Sequence, residues 1–472
     1  MSDNEKIVIL QLENIRTQNN NMSNKKAALE LGTKPVSSLL MQYALPAIVA
    51  MVATSLYNMV DSIFIGQGVG PLAISGLAIT FPFMNLSAAF GAAIGVGAST
   101  LLSVKLGQRD YAIANKILGN NVMLNIVVGI ALGVIGLLFL DPILLFFGAS
   151  EATLPYARDY MQVILVGNAI THLTLGLNAV LRSAGKPKVA MYITIFTVVI
   201  NAILDPIFIY TLQLGIRGAA YATILAQLLA VAWQWVIFSD KKELLHFEYD
   251  KFHLERKIVS NIVSIGISPF AMNACACLVV IFVNNNLQTY GGDMAVGAYG
   301  IANRVAFVFV MITMGVCQGM QPIAGYNYGA QNYNRMLEVL KLAVIAGTSV
   351  CAVGFVIAMA FPRACARMFT TDETLIAHSV VAMRYIMAMF LIIGAQMVIT
   401  NFFQSIGKVK ISIFLSLSRQ LIFLVPLIAL LPKSMGLNGV WLAMPLSDAI
   451  AAVMAYFMIW MYIKRFKKLQ AE

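Results

Sequence analysis

Four polar residues of the first half of the chain stand inside long apolar stretches: Asp61, Asn201, Asp205 and Thr223. Asn201 and Asp205 are four residues apart, so on a helix they share one face. At about 1.5 Å per helical residue, Asp61, Asp205 and Thr223 reach a similar depth on three segments, in the outer half of a membrane. Carboxylate, amide and hydroxyl oxygens suit a hard cation such as Na+, and two close carboxylates in a low dielectric also suit a shared proton. A site for one of these ions is therefore predicted here.

The two aspartates also have structural interpretations. An ionisable side chain at membrane depth costs at least ~2.5–3.5 kcal/mol on insertion scales, which favours a functional role. Asp61, however, lies near enough to the outer end of its segment to be a hydrated helix end. Asp205 can be held by Asn201 and by a bend at Pro206.

Four further ionisable residues fall at membrane depth: His172 in the first half, and Arg304, Arg419 and Asp448 in the second. We interpret His172 as a core histidine with satisfied hydrogen bonds rather than a proton carrier. Each arginine is expected either to pair internally, or to contact an anionic partner or gate through a salt bridge. Asp448 is a candidate partner for one of them.

The composition indicates why these charges are unusual. Of 472 residues, 60% are apolar and 11% charged, and the mean hydropathy is +0.80. A soluble domain has roughly 25% charged residues and cannot hide so much apolar surface, so lipid must be the main solvent. The apolar runs lack the alternating polarity of barrel strands. They predict an all-α polytopic fold of twelve transmembrane helices, near 38–63, 73–103, 113–140, 157–181, 189–211, 217–238, 259–287, 294–324, 337–361, 379–404, 410–431 and 438–463.

The basic residues predict the orientation. With the N-terminus inside, 24 Lys and Arg residues fall on cytoplasmic segments and six on outer ones, so both termini are expected in the cytoplasm. This bias explains the net charge of +11 without nucleic acid as a partner. Residues 1–35 are polar and carry no signal peptide, and Met22 is an equally good start.

An internal repeat organises the helices. A shift of about 222 residues superimposes four pairs of motifs in the same order: 107–111 on 329–333, 183–188 on 405–410, 215–222 on 436–443, and Pro46 on Pro269. Six spans per repeat predict two six-helix bundles related by a pseudo-twofold axis along the membrane normal, around a central cleft. The expected parts are a disordered cytoplasmic tail, an N-lobe, a cytoplasmic linker, a C-lobe and a short tail, over residues 1–35, 36–238, 239–257, 258–465 and 466–472.

No catalytic or metal site is predicted. Cys275 and Cys277 form a C-x-C without a second pair, so they are interpreted as small buried thiols, and no cofactor is expected. The four histidines are scattered, which argues against a membrane enzyme. The 26 methionines suit a drug site that repacks around varied ligands, although methionine also fills ordinary helix contacts.

Several long motifs resemble the multidrug and toxic compound extrusion (MATE) family, in particular its MepA-like branch. The resemblance covers about residues 30–465. It is carried by YNMVDSIFIG (57–66), LNAVLRSAGKPK (177–188), NAILDPIFIY (201–210), GIRGAAYAT (215–223), QGMQPIAGYNYGA (318–330) and SRQLIFLVPL (418–427).

This resemblance implies twelve helices in two lobes and drug/cation antiport. The family's N-lobe cation site carries over onto Asp61, Asn201, Asp205 and Thr223, and in pattern also onto Asn178. Pro46 matches a proline about which the first helix is proposed to bend in some members. The acidic residues that the NorM-like branch has in helices 7 and 10 are missing from 270–287 and 385–404. Coupling is therefore expected in the N-lobe.

The predicted function is secondary active efflux, by alternating access, of lipophilic and often cationic compounds against Na+ or H+. The protein is expected to be a monomer, surrounded by membrane lipid, in the cytoplasmic (inner) membrane of a prokaryote. The alternatives are a lipid-linked glycan flippase of the same superfamily, a non-drug metabolite exporter and a passive channel. Arg304 and Arg419 are the residues that support a flippase. A channel does not need proline-broken repeats around a buried carboxylate pair.

Overall fold

The computed structural model describes residues 30–248 and 252–471, and all regular structure in these ranges is helical. The predicted tail before residue 30, linker residues 249–251 and Glu472 lie outside the described residues. The first half contains α1 Val36–Gly68, α2 Pro71–Gly107, α3 Tyr111–Leu138, α4 Leu140–Phe146, α5 Leu154–Val166, α6 Asn168–Ser183, α7 Pro187–Pro206, a π-helical turn Ile207–Thr211 and α8 Gly215–Ser239.

The second half repeats this order of elements with different interruptions. It contains α9 Arg256–Gly329, α10 Tyr333–Ala360, α11 Pro362–Arg367, α12 Glu373–Met387, α13 Phe390–Ser405, α14 Val409–Leu417, a π-helical turn Ser418–Leu424, α15 Val425–Met435 and α16 Leu437–Ala471.

The twelve predicted spans are recovered in the described ranges. Nine helical stretches there are long and apolar enough to cross a membrane, and two bent pairs, α5 with α6 at 56° and α12 with α13 at 49°, raise the number to eleven. The 74-residue α9, counted once so far, is broken at Gly292, where φ is 65°. It therefore provides two spans and brings the number to twelve. One boundary differs from the prediction, because α16 continues through the expected C-terminal tail to Ala471.

The internal repeat is visible in the backbone. Arg109 and Gln331 lie 222 positions apart and both have φ of 59°, while Gly185 and Gly407, also 222 apart, have φ of 86° and 71°. All four residues follow helix ends, and all lie in the left-handed region. Equivalent helices therefore stop at equivalent left-handed turns, as duplication of one six-helix unit requires.

By packing, the chain divides into two compact units. The first comprises the described residues up to 35 together with 53–266 and 325–332, and the second comprises 36–52, 267–324 and 333 onwards. Residues 36–52 thus group with the second unit, and the beginning of α9 groups with the first.

Small residues explain the grouping of residues 36–52 with the second unit. A Cβ atom on Gly319 would lie 2.5 Å from Ala44 Cα, and one on Gly315 would lie 2.8 Å from Ile48 Cα. The backbones of α1 and α9 are therefore in close contact, the usual way in which small residues join helices in lipid.

The first unit has the same contact at equivalent positions. Gly97 lies 222 positions before Gly319, and a Cβ there would stand 2.1 Å from the carbonyl oxygen of Ile262. A Cβ on Gly266 would stand 2.4 Å from the carbonyl oxygen of Ala93. The start of α9 is thus held on α2, as the start of α1 is held on the second part of α9.

The linker between the halves is attached to the first unit over its described residues. Glu243 forms an ion pair with Lys186 at 2.7 Å, and Glu248 accepts a hydrogen bond from Asn115 at 2.7 Å. The backbone N–H of Phe247 donates to the carbonyl of Phe238 at 2.7 Å. The connection therefore adds a structured edge to this unit.

Candidate cation site

The end of α1 is fixed against the π-helical turn that follows α7. A Cβ on Gly68 would lie 2.5 Å from the Ile209 side chain and 2.8 Å from the Tyr210 ring, so only glycine permits this approach. The Tyr210 hydroxyl donates to the carbonyl of Phe64 at 3.3 Å, and the two rings make an edge contact with centroids 6.4 Å apart. These contacts place Asp61, one turn earlier on α1, beside the end of α7.

The end of α7 carries the second carboxylate. Pro206 has no N–H and cannot bond to the carbonyl of Ala202, so the regular helix ends here. The wider turn Ile207–Thr211 follows directly, and such turns are frequent at functional sites. Asn201 and Asp205 face the same side, and both are buried, Asp205 completely.

A directed chain of hydrogen bonds joins three of the predicted residues. With the Asn201 amide oriented so that both of its polar atoms are satisfied, its nitrogen donates to Asp205 Oδ2 at 2.9 Å. Its oxygen accepts from the backbone N–H and the hydroxyl of Thr223, both at 3.2 Å. The hydroxyl hydrogen of Thr223 is then used, so the Tyr57 hydroxyl must donate to Thr223 Oγ1, at 2.9 Å.

Asp61 completes the cluster. It is 5% exposed, which argues against a hydrated helix end, and its carboxyl lies within hydrogen-bond reach of the Asp205 carboxyl. Its Oδ1 atom is buried without a hydrogen-bond partner among the described residues. Two facing carboxylates repel each other in a low dielectric unless a proton or a metal cation lies between them.

The electrostatic balance of the site is negative. None of the ion pairs found in residues 30–248 and 252–471 involves either aspartate. The groups that surround the pair are neutral hydroxyls and an amide. A buried carboxyl pair without a basic partner is chemically suited to bind and release one small cation.

Two tyrosines belong to this cluster and were missed from the sequence. Tyr57 lies four residues before Asp61 on α1, so helical spacing was a signal for it. Tyr160 on α5 is almost completely buried in the apolar core of the first unit, and it lies near enough to Asp61 and Asp205 to interact with them electrostatically. No spacing in the sequence relates Tyr160 to the other members.

Asn178 is not brought into the cluster. Its amide nitrogen donates to the carbonyl of Ala190 at 3.0 Å and to the Thr194 hydroxyl at 3.2 Å, and its oxygen accepts from Arg182 at 2.5 Å. The side chain therefore bridges α6 and the start of α7, and its oxygen is used by a guanidinium.

The intramembrane charges of the second half are arranged differently. Arg419 forms an ion pair with Asp448, with 2.8 Å between Nε and Oδ1, in the pairing considered for Asp448. Arg304 has an exposed side chain, and none of the ion pairs found among the described residues includes it.

In the first unit, His172 is fully buried, and its Nε2 is bonded to the carbonyl of Ser87 at 2.9 Å, while its Nδ1 has no partner in the described part of the chain.

Comparison with known sequences gives one family. The family model MatE matches residues 46–207 and 265–430, which are corresponding parts of the two repeats. The multidrug export protein MepA of Staphylococcus haemolyticus is 27% identical over 421 residues, 89% of this chain and 92% of that protein. MepA of Staphylococcus aureus strain N315 is 25% identical over 427 residues, 90% of this chain and 94% of that protein.

Solved structures share the fold. A multidrug resistance MATE family transporter described in an outward-facing conformation superposes with a TM-score of 0.87 at 24% identity, covering 94% of this chain and 99% of that chain. A MATE structure described as bent gives a TM-score of 0.88 at 24% identity, covering 95% and 99%. The all-α fold of twelve helices in two bundles and the resemblance noted in the sequence are both confirmed.

Proposed function

Because this chain belongs to the MatE family, we propose that it exports lipophilic compounds, cations among them, across the cytoplasmic membrane in exchange for Na+ or H+. Family membership makes it a multi-pass membrane transporter and not an enzyme. Its MepA relatives, which it matches over about nine-tenths of its length, are multidrug export proteins. Both termini are proposed to face the cytoplasm, and the monomer to be the working unit.

One observation carries the proposal: the buried pair of Asp61 and Asp205, with no basic partner among the described residues. An ion-driven pump must bind its ion from one side and release it to the other. A carboxyl pair does this if one proton, or one Na+ held by Asn201 and Thr223 as well, neutralises the repulsion between the two groups. Loss of the ion restores the repulsion and favours a different packing of α1 and α7.

Pro46 is the proposed hinge for this change. It is buried inside the continuous helix α1, fifteen residues before Asp61. A proline removes one backbone hydrogen bond and permits a kink without breaking the others. Two solved relatives are described as MATE in a bent and in a straight conformation. Movement of α1 about Pro46 would couple the ion site to the rest of the helix.

A lipid-linked glycan flippase remains the second candidate, as does an exporter of other metabolites. A flippase for anionic lipid-linked sugars needs several unpaired cations along its path. The second half has two intramembrane arginines, Arg304 and Arg419, and Asp448 balances the charge of Arg419. This small number of cations supports drug and cation exchange as the first proposal.

The test is ethidium efflux from vesicles that contain the purified protein. A sodium gradient and a proton gradient are applied separately, which also identifies the coupling ion. We expect Asp205→Asn to abolish gradient-driven efflux, and Asp159→Asn, which alters only an exposed ion pair with Arg217, to leave it intact. Efflux by Asp205→Asn at the wild-type rate under both gradients would show that coupling lies elsewhere. If neither gradient moved ethidium, the flippase would become the better proposal.

A further inference from the structure

The second unit contains a cavity of about 470 Å³ that is separate from the carboxyl pair. All of its lining residues belong to this unit: they come from α9, α12, α13, α16 and the segment from α14 to the π-helical turn. Cavities of ~300–1,000 Å³ are the usual size for drug-sized ligands. The space is therefore large enough to hold a small organic molecule.

The walls suit an apolar, aromatic ligand. Flexible thioethers and aromatic rings line the space from several helices, among them Met272, Met314, Met397, Met444, Tyr299 and Phe307. Thioethers adapt to ligands of different shape, and they make favourable contacts with aromatic rings. This surface supplies affinity without selecting one structure.

One charged pair interrupts the apolar wall. The Arg419 side chain lines the cavity, is 31% exposed and forms an ion pair with Asp448 through its Nε. A guanidinium has five N–H donors in a planar fork, and the four on the two terminal nitrogens of Arg419 make no hydrogen bond to the described residues. Donors of this geometry match the two oxygens of a carboxylate.

The position of Arg419 supports a role in binding. It lies on the π-helical turn Ser418–Leu424, in the same span of the repeat that carries the turn after Asp205 in the first half. The next residue, Gln420, also lines the cavity, and its Oε1 is buried without a partner in the described part of the chain. An ion pair at membrane depth favours a functional explanation.

The same geometry disfavours a cation as the ligand of this cavity. Among the described residues that line it, Asp448 is the single carboxylate, and its Oδ1 already accepts from Arg419. A cationic ligand would have to compete with a guanidinium for that group. A ligand carboxylate instead meets unused donors.

We propose that the cavity of the second unit binds aromatic compounds that carry a carboxylate, with the carboxylate held by the terminal nitrogens of Arg419. The chain then recognises two ligand classes at two places: a small cation at the carboxyl pair and an amphipathic carboxylate in this cavity. Export of the carboxylate rests on the proposed function, but its binding does not.

The test compares two probes of almost equal shape on the full-length protein in lipid nanodiscs. Dansyl-phenylalanine carries a carboxylate at neutral pH, and its methyl ester does not. Since charge-assisted hydrogen bonds are the strong ones, we expect the acid to bind the wild type about tenfold more tightly than the ester by fluorescence titration. Equal binding of acid and ester would overturn the proposal.

Two variants locate the binding. The double variant Arg419→Gln with Asp448→Asn removes both charges and leaves neither partner buried alone; we expect it to bind the acid as weakly as the ester, with ester binding unchanged. Met314→Trp fills the cavity and is expected to weaken both probes. An acid preference that persists in the double variant, or unchanged binding in Met314→Trp, would place the ligand elsewhere.

Failure of this proposal is distinguishable from failure of the proposed function, because the titration uses no ion gradient. If the wild type pumps ethidium but binds acid and ester alike, the carboxylate site is wrong and the antiport stands. If the acid preference is found but no gradient drives ethidium, the antiport is wrong and the cavity stands.

Discussion

Replacement of Thr223 by valine tests the hydrogen-bond chain of the ion site with almost no change of shape. The threonine hydroxyl accepts a hydrogen bond from the Tyr57 hydroxyl at 2.9 Å and donates one to the Asn201 side-chain oxygen at 3.2 Å. Valine leaves half-buried Tyr57 and buried Asn201 without that bond, and it removes one oxygen available to a cation. Thr223→Ser keeps the hydroxyl and is the matched control.

The magnitude follows from these contacts. A buried polar group left unpaired costs about 1–3 kcal/mol, and about 1.4 kcal/mol corresponds to a factor of ten in affinity. Part of the cost falls equally on the ion-free and ion-bound states and does not alter affinity. The loss of one oxygen ligand falls only on the ion-bound state. We therefore expect Thr223→Val to raise the ion concentration for half-maximal efflux about tenfold.

The assay is ethidium efflux from proteoliposomes at a series of concentrations of the coupling ion. Thermal unfolding of each variant in detergent is measured in parallel, because unpaired buried groups should also lower the unfolding temperature of Thr223→Val relative to Thr223→Ser. If the valine variant reached half-maximal efflux at the same ion concentration as both wild type and serine variant, the threonine would have no part in ion binding. The site as assembled here would then be incorrect.

Three further outcomes are expected. Gly97→Ala should strongly lower the thermal stability of the protein in detergent, since its Cβ would lie 2.1 Å from a backbone oxygen. The control Gly300→Ala, whose Cβ would have no atom within 4 Å, should leave the stability unchanged. Equal stability of the two variants would contradict the close helix contact. The hydrogen bond and charge of Lys116 hold the pKa of Glu255 below its usual range, so the stabilising contact is present above the ordinary glutamate pKa and is lost as pH falls through the lowered value. Hydrogen exchange of the linker end should therefore rise in wild type only as pH falls through this lowered pKa, and in Lys116→Met, which lacks the ion pair, it should already be raised above that pH. Pro46→Ala should slow ethidium efflux while leaving equilibrium ethidium binding unchanged, and an unaltered efflux rate would remove Pro46 as the hinge.

The boundaries of the spans and the repeat could be predicted from the sequence because lipid makes strong local demands. Each span has to satisfy its own backbone, so apolar runs and the loops between them mark helices directly. The turn at Gly185 and its equivalent at Gly407 were visible as repeated motifs, and the structure gives them the same left-handed backbone. The pairing of Asn201 with Asp205 was also local, four residues apart on one helix.

Contacts between helices could be predicted from the sequence only where few polar residues lie at the same membrane depth. The amide of Asn178 matched the pattern of the site, but it is bonded to Arg182 and to Ala190 near the start of α7, whereas Asp205 lies at the end of that helix. Tyr160 lies beside the cluster on α5, a helix whose residues show no spacing relative to the other members.

The sequence by itself determined that the chain is a duplicated bundle of apolar helices with carboxylates concentrated in its first half, since hydropathy, helical period and internal repeat are properties of a single chain. Only the tertiary structure decided which side chains meet. It placed Asp61 against Asp205, gave Asp448 to Arg419 and left a cavity beside that pair. The physical reason is that membrane depth and helical face leave a residue several possible neighbours on other helices. The close helix contacts at Gly68 and Gly319 set the rotation of each helix and so decide which neighbour it meets.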